Sequence, residues 1–305
     1  MRNAFINQLF TYAQQDRDII LMSGDLGFGV LDKFRADLPQ QYFNAGICEQ
    51  NMASMAAGLA IEGKKVYLYS IANFPTLRCI EQIRNDICYH NVNVKIISVG
   101  GGFAYGALGM THHATEDIAI MRSLPQMNVY APCDPWEAME IGKAIYQLKV
   151  PCYIRLNKGG EPYLINHSQI RYNVNKINRI VEGKDVCIIS TGTILDEAIK
   201  ASHLLNEQGI SVAVYHLACI KPIDKSDLIF NLKKFELLVT VEEHNLSGGF
   251  GSAISENLIE EYNIPRIIRI GIKDEYTSFA GSQSYLRSVY GLDANSIAKK
   301  IKECF

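Results

Sequence analysis

Residues 44–63 read NAGICEQNMASMAAGLAIEG. From Gln50 onward, small and apolar residues recur at the spacing of a tightly packed helix, and Glu49 falls at or just before its first turn. Position alone makes Glu49 a helix-capping carboxylate, because acids favour first turns. The helix is followed at once by KKVYLYS (64–70), an apolar run of strand length. The same alternation extends outward in both directions. DIILMS precedes it; NVKIISVG, MNVYAP and PCYIRL follow, and DVCIIST, ISVAVYHL, FELLVTVEE and PRIIRIGI come later. Strands that are apolar throughout and separated by helical patterns predict parallel sheets covered on both faces. The fold class is therefore α/β.

Between Asn157 and Glu182 the alternation lapses into a polar, glycine-containing stretch. The reading gives a domain over 1–165, a linker over 166–182 and a second domain over 183–305, with no internal repeat. The chain has 305 residues, 48% hydrophobic and 20% charged, enough to bury two cores. Its 30 basic and 32 acidic residues give a formal net charge of -2. Such a balance draws neither nucleic acid nor an anionic membrane, so any bound phosphate must be gripped locally. Eight cysteines are scattered without a CxxC pair, the thiol usage of a reduced, cytoplasmic protein. The N-terminal MRNAFINQLFTYAQQD reads as an amphipathic helix without an export signal, and no apolar run is long enough to span a bilayer.

The string FNAGICEQNMASMAAGLAIEGKKVYLYS resembles the pyrimidine-binding domain of thiamine diphosphate enzymes, in the transketolase and deoxyxylulose-phosphate synthase branch. The resemblance continues through THHATEDIAIMRSLPQMNVYAPCDP, CYIRLNKGG, DVCIISTGTILDEAIKA, VEEHNLSGGFGSAISE and GSQSYLRSVYGLDANSIAKKI, nearly the whole chain in order. It implies two doubly wound domains, a pyrimidine-binding one and a transketolase C-terminal one. It also makes Glu49 the acid that hydrogen-bonds the cofactor's aminopyrimidine. A carboxylate on that ring nitrogen favours the imino tautomer, whose exocyclic nitrogen can serve as base, and it works best in an apolar pocket. Phe74 is the expected aromatic wall for the ring, with Cys79 at an alternative position. Asp25, in SGDLGFG, resembles a residue near the thiazolium side.

In GMTHHATED, His112 matches the family's histidine beside the ketose hydroxyls, and His113, which follows it, is a second catalytic candidate. Imidazole titrates near neutrality and can pass protons to sugar oxygens. Four residues earlier the family generally carries an aspartate; here Leu108 stands. By resemblance Arg155 takes the substrate phosphate at the mouth of the site, and Arg2 is a second phosphate ligand. HNLSGGFGSAISENL is expected to serve close helix packing, and the second domain to serve dimer contacts rather than chemistry.

The family holds the cofactor diphosphate through Mg2+ or Ca2+ in a domain marked by GDG, a string absent here. The resemblance therefore implies a split enzyme. A partner N-terminal subunit supplies the diphosphate and metal site in an α2β2 assembly, and no metal ligands are expected in this chain. The expected activity is transfer of a two-carbon ketol unit between phosphorylated sugars. The alternatives are the E1 β subunit of a 2-oxo acid dehydrogenase, a deoxyxylulose-phosphate synthase-like enzyme, and a regulatory subunit that retains the fold.

Overall fold

The computed structural model describes residues 1–165 and 172–305. Among them are twelve strands: β1 (Ile19–Ser23), β2 (Tyr42–Asn44), β3 (Lys65–Ile71), β4 (Val94–Val99), β5 (Asn128–Tyr130), β6 (Cys152–Leu156), β7 (Asn178–Val181), β8 (Val186–Ser190), β9 (Val212–His216), β10 (Cys219–Lys221), β11 (Leu237–Asn245) and β12 (Arg266–Ile272). They form two sheets, ordered β10-β5-β6-β4-β3-β1-β2 and β12-β11-β8-β9-β7. Both are parallel except at one edge, where β10 and β7 run antiparallel to their neighbours. In β1, β4, β6, β8 and β9 every residue is buried, so these strands are covered on both faces rather than alternating.

All nine apolar runs of the sequence are strands. The three others, β2, β7 and β10, are three or four residues long, too short for periodicity to show. Two of them lie at the junction of the two parts of the chain. β7 lies inside the stretch taken as linker and pairs with β9 as an edge of the second sheet; residues 166–171 of that linker lie outside the described residues. β10 leaves the second domain and pairs with β5, so the two domains share the first sheet.

The helix Glu49–Ile61 packs on β3 through a face of Met52, Ala53, Ala56 and Ala57, small side chains that let helix and sheet approach closely. A second tie between the domains is polar. The fully buried Glu137 carboxylate accepts from the Cys133 amide at 2.7 Å, the His216 ring at 2.7 Å and the Tyr172 hydroxyl at 2.9 Å. Burial works to raise this carboxyl, but the His216 contact holds it below its usual value. Cys133, Glu137 and His216 bring ligand-type atoms within 4.8 Å of one another. With the carboxylate already taken by three donors, the group is a hydrogen-bonded staple.

Candidate functional site

Parallel sheets collect ligands beyond the carboxyl ends of their strands. At that edge of the first sheet lie the segments that follow β1, β2, β3, β4 and β6; they carry the residues singled out in the sequence except Arg2, in the first helix, and Arg155, near the end of β6 itself.

Glu49 is 5% exposed and opens the helix Glu49–Ile61, yet no side-chain cap bond is made there. Its Oε1 instead accepts from Arg78 Nη1 at 2.7 Å. The Arg78 guanidinium lies 3.8 Å from the centroid of the Phe74 ring, and that ring meets His112 edge-on at 5.4 Å. Glu49, Arg78, Phe74 and His112 thus form one continuous line of contacts. Cys79 is buried, with its sulfur 3.2 Å from the Pro75 carbonyl. Burial, with the Glu49 charge adding to it, pushes its thiol up to about 12. Of the two positions expected for the aromatic wall, Phe74 is the one that brings a ring to this edge.

Above Glu49 the loops after β1 and β2 cross. A Cβ on Gly24 would lie 3.3 Å from the Gly46 carbonyl oxygen and 4.0 Å from Glu49 Cγ, so any larger residue would lean over the carboxylate. Asp25 sits beside it in a left-handed conformation, φ 58°. Asn44 fixes it by taking the Asp25 amide at 2.9 Å and donating to the Asp25 carboxylate at 3.0 Å.

The two histidines have different surroundings. His112 is half-buried, with Nδ1 3.1 Å from the Thr111 hydroxyl, and Asn73 steadies the loop by donating to the Thr111 carbonyl at 2.9 Å. His113 is buried, with Nε2 3.2 Å from the Gly106 carbonyl and no hydrogen-bond partner at Nδ1 among the described residues. Burial moves it below the usual imidazole value, so it is neutral at pH 7. A cavity of about 450 Å3 lies against this loop, lined by Asn73, Met110, His113, Glu116, Glu275 and Tyr276.

Arg155 is the fourth of the five residues of β6. It is buried, Nε donates to Asp117 Oδ2 at 2.8 Å, and Nη2 donates to the carbonyls of Ala114 at 2.8 Å and Glu243 at 3.0 Å. Asp117 Oδ2 also accepts from the Tyr153 hydroxyl at 2.7 Å. Nε and Nη2 of Arg155 are thus committed to an internal carboxylate and two carbonyls, a buried ion pair. Arg155→Met is accordingly expected to lower unfolding stability by about 3–5 kcal/mol, read from denaturant midpoints, because it strands the Asp117 charge. The cations bracketing Tyr105 are Arg2 and Lys158. Burial raises the Tyr69 hydroxyl to about 12 and raises that of Tyr105, with the Arg2 charge pulling each the other way. Lys158 Nζ lies 5.9 Å from the Tyr105 ring centroid.

Sequence reasoning missed Arg78 and Lys158. The signal for Arg78 was its place one helical turn after Phe74; that for Lys158 was the glycine pair behind it, Gly159 and Gly160, both with positive φ.

Comparison with known proteins finds matches to both parts of the chain. Residues 1–161 match the family model "Transketolase, pyrimidine binding domain" and residues 175–297 match "Transketolase, C-terminal domain". The chain is 36% identical over 303 residues to an apulose-4-phosphate transketolase subunit of Phocaeicola vulgatus, covering 99% of this chain and 96% of that one. It is 37% identical over 305 residues to a putative transketolase C-terminal section of Methanocaldococcus jannaschii, covering 99% and 95%. A solved structure described as a split gene transketolase, inactive beta4 tetramer, superposes with a TM-score of 0.88 at 35% identity, over 99% of this chain and 96% of that one.

Proposed function

The chain belongs to the transketolase family, and from that premise we propose that it is the C-terminal, or β, subunit of a split thiamine diphosphate-dependent transketolase. Joined to a diphosphate-binding partner, it moves a two-carbon ketol unit between phosphorylated sugars. The observation that carries the reading is Glu49: a buried carboxylate at the carboxyl edge of a parallel sheet, free of any capping bond and one arginine away from an aromatic ring.

These residues fit the pyrimidine half of the cofactor. Gly24 places no side chain over Glu49, and Phe74 offers a ring for stacking. When bound, thiamine diphosphate supplies the nucleophilic carbon that takes up the ketol unit. Glu49 would share a proton with the pyrimidine ring nitrogen, and Arg78 would yield that carboxylate oxygen as the ring arrives. Asp25 would face the thiazolium side. His112 would pass protons to and from sugar hydroxyls, while neutral His113 braces the loop from beneath.

Arg2 and Lys158 would hold the substrate phosphate. A charge-assisted contact predicts that Arg2→Ala with Lys158→Ala raises KM for phosphorylated sugars about 10- to 150-fold. Unphosphorylated substrates should be little affected; equal losses on both would remove the assignment.

The diphosphate and its Mg2+ or Ca2+ fall to the partner, since no GDG string occurs in this chain. Exposed Phe28, Ile47, Leu77, Leu108 and Met110 stand on four loops of the same edge, an apolar rim suited to a covering subunit in an α2β2 assembly. The description of the similar split-gene structure as an inactive beta4 tetramer supports this need for a second chain. A cytoplasmic place agrees with the eight free cysteines; among the described residues no helix is long and apolar enough to cross a membrane. The test is to combine the chain with a GDG-bearing subunit and offer ketose phosphate donors with aldose acceptors. Ketol transfer is expected; decarboxylation of 2-oxo acids without it would point to the dehydrogenase alternative.

A further inference from the structure

A buried carboxylate of the second domain grips the histidine loop. Glu243, near the carboxyl end of β11, is 3% exposed. Its Oε1 accepts from the Phe103 amide at 2.6 Å and from Gln283 Nε2 at 2.9 Å, and its Oε2 accepts from Arg287 Nε. Arg287 is held in turn by Thr193 at 3.1 Å. Two donors from its own domain therefore fix the carboxylate, and the third is a backbone N–H of the loop that carries His112 and His113.

The fit at this point is close. Gly102 has φ +61°, and a Cβ there would fall 2.3 Å from Glu243 Oε1. Phe103 stacks on Tyr290 at 5.4 Å and meets His113 edge-on at 5.3 Å. The Gly281 amide donates to the Gly106 carbonyl at 3.2 Å, the same oxygen that faces His113 Nε2. Gln283 Oε1 accepts from Asn157 Nδ2 at 3.3 Å, next to Lys158. The segment GSQSYLRSVYG (281–291) thus touches the stem of the histidine loop at several points, and the bridge between Gly102 and Ala114 ties that stem to the histidines' own end. Glycines at 100, 101, 102, 106 and 109 give this loop more freedom than most backbones, so its shape must be imposed from outside.

We propose that Glu243 is a positioning residue for His112, and that through it the C-terminal domain sets the histidine loop in its working place. The inference rests on the reading of that loop as part of the reaction site. It gives the second domain a part in positioning the site beside the expected dimer contacts: buried Glu242, Glu243 and His244 cluster on β11 at the domain junction.

Hydrogen exchange in the full-length chain tests the clamp without any turnover. In Glu243→Gln the amides of residues 102–114 should exchange about ten-fold or more faster, while those of β1 and β3 keep their rates. Glu243→Asp, which keeps the charge, should restore part of the protection. Unchanged exchange in 102–114, or a rise of equal size in both sheets, would overturn the proposal and leave Glu243 an ordinary interface acid. In the complex with the diphosphate-binding subunit, Glu243→Gln should lower kcat more than it changes KM, because Arg2 and Lys158 are untouched. A loosened loop with full turnover, alongside an inactive His112→Ala, would overturn the positioning role alone. Full turnover in His112→Ala would instead sink the functional reading of the loop, whatever Glu243→Gln does.

Discussion

Glu49→Gln, in the chain reconstituted with its diphosphate-binding partner, is expected to slow exchange of the cofactor's C2 proton by a factor on the order of 100 or more. The substitution keeps the side chain's shape and its place in the helix but removes the group able to share a proton with the pyrimidine. Stability should scarcely move, for two reasons. No capping bond is lost, because the carboxylate makes none, and the ion pair with half-exposed Arg78 contributes at most about 1 kcal/mol. A capping role predicts the opposite pattern: a loss of about 1 kcal/mol with exchange intact. Measuring C2 exchange and thermal midpoint on the same variant complex separates them. Normal exchange with a lowered midpoint would make Glu49 a structural acid.

His112→Ala is expected to lower kcat for ketol transfer by about 10²- to 10⁴-fold, the usual size of proton-transfer assistance, with a smaller change in KM. Its ring is half-buried on the loop after β4, beside Phe74 and bonded only locally to Thr111. Removing it therefore leaves no buried partner unsatisfied. The expected split is a large kinetic loss with an unchanged midpoint, checked by steady-state kinetics and calorimetric melting together. A lowered midpoint with proportionate loss of activity would place His112 in the scaffold instead.

Much of the fold was legible because its long strands are buried on both faces, which leaves unbroken apolar runs such as NVKIISVG. The short edge strands left no such trace, and β10 could not be foreseen because its pairing with β5 joins residues about 90 positions apart. GGFG behaved as expected of a packing element. A Cβ on Gly249 would fall 2.1 Å from Glu242 Oε2, and that carboxylate takes the amides of Phe250 at 2.6 Å and Gly251 at 2.9 Å at the start of the next helix.

The candidate site was legible in its residue types but not in its pairings. Glu49, Phe74 and His112 were found in sequence, and they do meet at one edge. Arg155 was placed at a strand end, correctly, but a strand end does not say which way a guanidinium turns. Asp117, 38 residues earlier, decided that by supplying a buried charge. Arg78 escaped notice because its partner, Glu49, lies 29 residues away on another element. Long-range charge pairing is a property of the folded edge and has no local sequence pattern.

On the proposed reading, this chain holds only the pyrimidine half of a site that another subunit completes. Titration calorimetry of thiamine diphosphate with Mg2+ addresses that division directly, on the purified chain alone and then on its mixture with a GDG-bearing subunit. The chain alone should show no binding and the mixture should bind. Tight cofactor binding by the chain alone would contradict a divided site.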